Sequence, residues 1–337
     1  MPTLHQKSTA IPLTFELTCP DISAWRQGNT GTEGVWHFAS GQPGRQVAIC
    51  ALTHGNELCG AWALLGLLQA GIRPSSGSLT LMFGNLAAFD RFDPLNHDAS
   101  RCVDEDLNRQ WSPERMANAT TLERQRAAAL APFVTQADWL LDLHSMHERA
   151  APLLLTGIHP RNLQLAQQLA APQHMVVDAG HQEGVRMRDF GRFDWADALA
   201  PDTRSLLLEC GFHGDVSSRS VAQDMCVRFL VAAGTLSEGL AATQLADWRK
   251  ADAPEQWALN VTHAVVAQSE GFGFTEAFQG LEVIAKAGTV IGYQSAAADP
   301  ADAVRTPYDD CVLVMPSVRQ AKAGVTVVRF ATRQLLG

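Results

Sequence analysis

Val47-Ala48-Ile49-Cys50-Ala51-Leu52-Thr53-His54-Gly55-Asn56-Glu57 is the stretch on which the fold turns. A short uninterrupted apolar run reads as an interior strand covered on both faces, and this one ends in a polar turn. From Glu57 to about Ala70, Leu58, Trp62, Leu65 and Leu68 supply the apolar face of a helix that Gly71 closes. Strand, polar turn and helix together are the repeating unit of an α/β sheet.

Outward from that unit the alternation returns. Residues 78–83 read as a strand, 119–130 as a helix, 139–143 and 153–155 as strands, and 161–169 as a helix. Residues 175–177 and 205–209 follow as strands, then 218–231 as a helix with helical character to about Lys250. Between Gly84 and about Pro113 lies a long irregular polar segment, and such segments inside a compact domain usually carry function. From Val261 the pattern changes to short β-rich runs at 262–266, 281–284, 290–293, 311–316 and 325–329. Without helices between them these strands are expected to be antiparallel and to form a second, smaller unit. The expected division is residues 1–255 and 256–337, joined at Ala251-Asp252-Ala253-Pro254-Glu255.

The 337 residues carry 26 basic against 35 acidic side chains, a formal net charge of -9, which offers no general attraction to nucleic acid or anionic lipid. The seven cysteines are scattered without a Cys-x-x-Cys pair, as expected of free thiols in a reducing compartment. Met1 to Lys7 shows no basic stretch leading into an apolar run, and no segment reaches 18 uninterrupted apolar residues. A cytoplasmic location without a membrane span is therefore expected. Interfaces leave no unique one-chain signature, so a homo-oligomer stays open.

Metal-binding residue types gather at the ends of the expected strands, where open α/β sheets place their sites. His54 and Glu57 flank a turn entering a helix, and His144 closes the run Trp139 to Leu143. Two imidazoles and one carboxylate are a ligand set that Zn²⁺ accepts while keeping a position for water. Asp142, two residues before His144, shares its face of the strand. A turn donor at His54 and a first-turn acid at Glu57 are the alternative, and His147 and Glu148 compete nearby. Glu209 closes the apolar run Leu206-Leu207-Leu208, where burial would raise its pKa and suit it to move protons, unless it caps the following turn. In Arg101-Cys102-Val103-Asp104-Glu105-Asp106-Leu107-Asn108-Arg109, an Arg could clamp a carboxylate or stabilise an oxyanion, with Asp104 and Asp106 holding the guanidiniums. Internal ion pairing on a solvated loop is the competing reading.

Taken together, His54-Gly55-Asn56-Glu57, Gly84-Asn85, Arg101 through Asp106-Leu107-Asn108-Arg109, Asp142-Leu143-His144 and Glu209 resemble the succinylglutamate desuccinylase and aspartoacylase family, related to zinc carboxypeptidases. The resemblance spans roughly residues 45 to 215, and the C-terminal part in outline. It implies a carboxypeptidase-like α/β/α domain with a mixed central sheet, followed by a small β-rich domain that narrows the active-site entrance. It further implies one Zn²⁺ per chain on His54, Glu57 and His144, with Asp142 close to the metal and Glu209 as general base and acid. Arg101 would polarise the scissile carbonyl, and Asn108 and Arg109 would grip the carboxylate of the amino-acid portion. Tyr308, in Pro307-Tyr308-Asp309-Asp310, is the candidate for the family's substrate-binding tyrosine.

The expected activity is hydrolysis of the amide bond of a small N-acyl amino acid. A zinc carboxypeptidase acting on short peptides and a non-catalytic zinc-dependent binding protein are the alternatives. His181, Arg186 and Arg188 could face the substrate or form a charged surface loop, and the acyl group is not legible.

Overall fold

The computed structural model describes residues 4–8, 10, 13–180 and 183–337. Its strands are β1 (His5–Gln6), β2 (Val35–Ala39), β3 (Gln46–Ala51), β4 (Ser78–Phe83), β5 (Trp139–Met146), β6 (Leu153–Leu155), β7 (His174–Val177), β8 (Arg204–Phe212), β9 (Gln256–Val266), β10 (Gly273–Phe274), β11 (Val283–Ile284), β12 (Val290–Tyr293), β13 (Ala303–Arg305), β14 (Cys311–Val314) and β15 (Thr326–Leu336). Its α-helices are α1 (Leu58–Gln69), α2 (Leu86–Phe89), α3 (Pro113–Ala117), α4 (Leu122–Gln136), α5 (Pro160–Gln168), α6 (Val216–Ala232) and α7 (Glu238–Gln244).

One sheet runs in the order β11-β14-β15-β9-β7-β6-β8-β5-β3-β4-β2. Strands β4, β3, β5 and β8 pair in parallel, β6 meets β8 antiparallel, and β6, β7 and β9 are parallel again. The expected α/β class with a mixed central sheet is what the chain forms. Alternation along each strand sorts the two faces. Val47, Ile49 and Ala51 of β3 pack with α1 and α6, whereas Ala48 and Cys50 pack with Ala127, Leu130 and Val134 of α4. The same alternation in β5 sends Leu141 and Leu143 to the α1 side. Leu140 packs on the α4 side, and Asp142 and His144 share its parity.

The chain leaves β3 for β4 on one side and later returns to β5 on the other, so the carboxyl ends of β3 and β5 open a crevice at a switch in strand order. Over it lies the segment from Gly84 to Pro113. That segment is not structureless, as it contains α2 and 3-10 turns at His97–Ser100 and Leu107–Arg109.

The C-terminal strands divide their allegiance. β9 and β15 are longer than their apolar runs suggested and pair antiparallel over their length, while β9 also pairs in parallel with β7. The large sheet therefore crosses residue 255, because Gln256–Asn260 complete the open edge of β7 although they alternate too weakly to read as a strand. β1, β10, β12 and β13 form a separate small sheet beside a core that includes Phe272, Phe274, Ile291 and Phe330. No helix among the described residues is long and apolar enough to cross a membrane.

Gly55 shows how closely the covering segment approaches. A Cβ at this position would lie 2.4 Å from both the Ala88 carbonyl carbon and the Ser100 carbonyl oxygen, and the Gly55 N–H donates to Arg101 O at 3.1 Å. Backbone cannot yield as a side-chain tip can. Gly55→Ala is expected to destabilise the protein by about 1–3 kcal/mol, read as a lowered midpoint in urea unfolding. An unchanged midpoint would contradict this packing.

Candidate metal centre

Strand ends and one turn bring the polar residues together. β3 ends at Ala51, and Leu52 follows in the left-handed region at φ 59° while fully buried. Nothing in the sequence signals that conformation, which costs a non-glycine residue on the order of 1–3 kcal/mol and turns the chain sharply into Thr53 and His54. Glu57 then sits immediately before α1, and β5 carries Asp142 and His144 on one face. β8 places Glu209 directly opposite His144 in register.

His54, Glu57 and His144 are buried, and their ligand atoms lie within 4.8 Å of one another, the one such group among the described residues. Glu57 Oε1 is 2.8 Å from His54 Nδ1, and Glu57 Oε2 is 2.8 Å from His144 Nδ1. Behind each ring stands a carboxylate: Asp106 Oδ1 lies 2.9 Å from His54 Nε2 and Asp142 Oδ2 2.8 Å from His144 Nε2. Thr53 Oγ1 donates to Asp142 Oδ1 at 2.8 Å and fixes that carboxylate. Both Nδ1 atoms therefore face the same oxygen pair. The contact to His144 is out of hydrogen-bond alignment, which leaves Glu57 Oε2 buried without a hydrogen-bond partner among the described residues.

The charges reinforce this arrangement. Burial alone would raise the Glu57 pKa, but His54 and His144 hold it well below the usual carboxylate range. Burial would likewise lower His144, yet Asp142 and Glu57 raise it well above the ordinary imidazole value. Two imidazoles and a carboxylate that converge, with an acid close behind each outer ring nitrogen, suit a borderline divalent cation.

Glu209 is buried, and its Oε2 has no hydrogen-bond partner among the described residues. Burial, with Glu57 and Asp142 nearby, pushes its pKa up to about 8 against the opposing pull of His144 and Arg101. In the metal-free protein the folded state thus keeps a proton that the unfolded chain releases near 4.5. The stability this provides is full below about 4.5 and is lost as pH rises to about 8. Metal-depleted wild type should lose melting temperature relative to metal-depleted Glu209→Gln across that window, and parallel pH profiles would refute the assignment.

The Arg101–Arg109 loop reaches the same place. Arg101 Nη2 is 2.9 Å from Asp106 Oδ2, and Nη1 is 3.5 Å from Glu57 Oε1. Asp106 thus holds Arg101 and His54 at once, and its Oδ1 also accepts from Asn108 N at 2.8 Å. Asp104 takes a different partner, accepting from Leu122 N at 2.9 Å. Asn108 Oδ1 accepts from Met187 N at 2.9 Å, and Arg109 Nη1 donates to Asn108 O at 2.9 Å. Arg109 Nε is buried without a hydrogen-bond partner among the described residues.

The remaining candidates make contacts of their own. Tyr308 hydrogen bonds through its hydroxyl to Thr262 Oγ1 at 2.7 Å and packs on the C-terminal core, and none of its hydrogen bonds reaches the cluster. Arg186 and Arg188 form no surface loop. Both are 1 % exposed, Arg186 pairs with Asp178 and Asp189, and Arg188 with Asp189 and Ser205. His181 lies outside the described residues. His147 contacts Asp98 and His213, and Glu148 contacts Ser317 and Arg319, so neither belongs to the cluster.

A mixed α/β sheet with a buried His-Glu-His centre at its switch point defines a metallohydrolase, with an arrangement consistent with a zinc deacylase active site. A family model described as the succinylglutamate desuccinylase/aspartoacylase catalytic domain matches residues 43–224, and the chain belongs to that family. No curated protein sequence matches the chain significantly. Among solved structures it is similar to the succinylglutamate desuccinylase from Chromobacterium violaceum, with TM-score 0.59, 18% identity and coverage of 90% of this chain and 89% of that one. It is also similar to murine aminoacylase 3, with TM-score 0.58, 19% identity and coverage of 88% and 97%. For an ectoine utilization protein from Ruegeria pomeroyi the values are 0.59, 16%, 88% and 87%.

Proposed function

We propose that the protein is a zinc-dependent deacylase that hydrolyses the amide bond of a small N-acyl amino acid bearing a free carboxylate. His54, Glu57 and His144 would hold one zinc ion, which when bound acidifies a water and polarises the scissile carbonyl. Glu209 takes the proton from the attacking water and returns it to the departing nitrogen. Arg101, braced by Asp106, donates to the carbonyl oxygen as negative charge develops there. Asn108 and Arg109 hold the α-carboxylate, and Asp142 keeps the His144 ring oriented. Tyr308 is an outer substrate contact in this reading, and residues 256–337 narrow the entrance. The free thiols, with Cys50, Cys59, Cys210, Cys226 and Cys311 buried, suit a cytoplasmic setting.

The observation that carries the reading is Glu209, a buried carboxyl with a raised pKa across one strand pairing from His144. The test is an assay of the zinc-loaded protein on N-succinyl-glutamate, N-acetyl-aspartate and other N-acyl amino acids, with dipeptides in parallel. Turnover of the N-acyl amino acids in preference to dipeptides is expected. Preference for dipeptides would favour a carboxypeptidase, and no hydrolysis by fully loaded protein would make it a binding protein.

A further inference from the structure

The chemistry above leaves Gly84-Asn85 and the buried acid Glu123 without a task. Glu123, in the first turn of α4, is fully buried. It accepts three successive backbone N–H groups from the covering loop. Val103 N lies 2.6 Å from Oε1, while Asp104 N and Glu105 N lie 3.1 and 3.2 Å from Oε2. A fourth donor is Asn85 Nδ2, 2.9 Å from Oε1, and Asn85 Oδ1 accepts from Ala88 N at 3.2 Å to cap α2. Burying a carboxylate is costly unless charge-assisted hydrogen bonds compensate, and here four donors surround it.

The interlock is reciprocal. Asp104 Oδ2 accepts from Leu122 N, and Glu105 binds Thr121 Oγ1 and Arg124, both at 2.7 Å. Residues 103–105 are therefore clamped to the start of α4. On either side of the clamp come Arg101, which reaches Glu57 and Asp106, and Asp106 to Arg109, which reach His54 and the proposed substrate carboxylate.

We propose that Glu123, backed by Asn85, is a positioning residue for the reaction. Its carboxylate sets the register of the loop so that Arg101 faces the carbonyl and Asn108 and Arg109 face the carboxylate. The proposal rests on the carboxylate-gripping role given to Asn108 and Arg109 above. Glutamine cannot replace Glu123 silently, because its amide –NH₂ would meet backbone N–H donors where the second carboxylate oxygen now accepts.

The experiment compares kcat and KM of metal-loaded wild type, Glu123→Gln, Glu123→Asp, Asn85→Ala and Arg109→Ala. Each is assayed on an N-acyl amino acid with a free carboxylate and on the same compound with that carboxylate amide-capped. Glu123→Gln should lower kcat/KM for the free acid roughly 10- to 100-fold with raised KM, and the capped compound by less, because a displacement of about 1 Å is enough for such a loss. The preference for the free acid should therefore shrink. Glu123→Asp, which keeps the charge, should recover part of it, and Asn85→Ala should shift it the same way with a smaller amplitude. A purely structural role would lower thermal stability and leave the preference unchanged in folded, metal-loaded protein, and that result would overturn the proposal. If Glu123→Gln does not fold, an unchanged preference in Asn85→Ala overturns it. If Arg109→Ala leaves the preference intact, the carboxylate-grip reading itself fails. If Arg109→Ala abolishes the preference while the Glu123 and Asn85 variants keep it, the positioning role alone fails.

Discussion

Glu209→Gln is expected to keep its metal and lose most of its turnover, with kcat falling roughly 10²–10⁴-fold, the usual contribution of a positioned acid–base group. The substitution preserves shape, and Glu209 is not part of the converging set of His54, Glu57 and His144. It removes a buried carboxyl that carries a raised pKa and an oxygen with no hydrogen-bond partner among the described residues. An amide at that position neither accepts a proton from water at neutral pH nor delivers one to a leaving nitrogen. Metal content by elemental analysis, measured beside initial rates on the same preparation, separates loss of chemistry from loss of the ion. A glutamine variant with full turnover would remove Glu209 from the reaction.

His144→Ala should fail differently, losing metal and activity together. The ring stands between Glu57 Oε2 and Asp142 Oδ2, 2.8 Å from each, so its removal takes away a proposed ligand and leaves two buried carboxylates without the ring between them. Asp142→Asn removes only the acid behind the ring and is expected to weaken metal affinity about 10- to 100-fold. His144→Ala should exceed that loss and also lower the melting temperature, since an unpaired buried charge is strongly destabilising. Competition against a chelator ranks the two variants. Wild-type metal affinity in His144→Ala would mean that the ion, if bound, is held by another set of residues.

Most of the centre is legible in the sequence, because each part has a local signature. An apolar run followed by His-Gly-Asn-Glu marks a strand end and a helix start. Asp142 and His144 share a face because strand side chains alternate, and Glu209 closes a run of leucines in a third strand. The partners of the acids carried no such signature. Asp104 and Asp106 are indistinguishable as neighbours of two arginines. Asp106 nevertheless turns to Arg101 and His54, while Asp104 caps α4 at Leu122. Arg186 and Arg188 looked free for substrate or solvent, and the fold buries both against Asp178, Asp189 and Ser205. Glu123 carries no signature of its own in the sequence, because an acid in the first turn of a helix is ordinary.

By itself, then, the sequence determined the α/β order of elements and the set of chemistry-bearing residues at the strand ends, since hydrophobic period and strand termination act over a few neighbouring residues. Only the tertiary structure decided which oxygen meets which nitrogen, how the covering loop is clamped to α4, and that β9 and β15 extend the main sheet. Several of those outcomes join groups far apart in the chain, 18 to 20 residues for Glu123 and its loop and 89 for Thr53 and Asp142. Hydrogen bonds at such separations are chosen by how the packed elements meet in space.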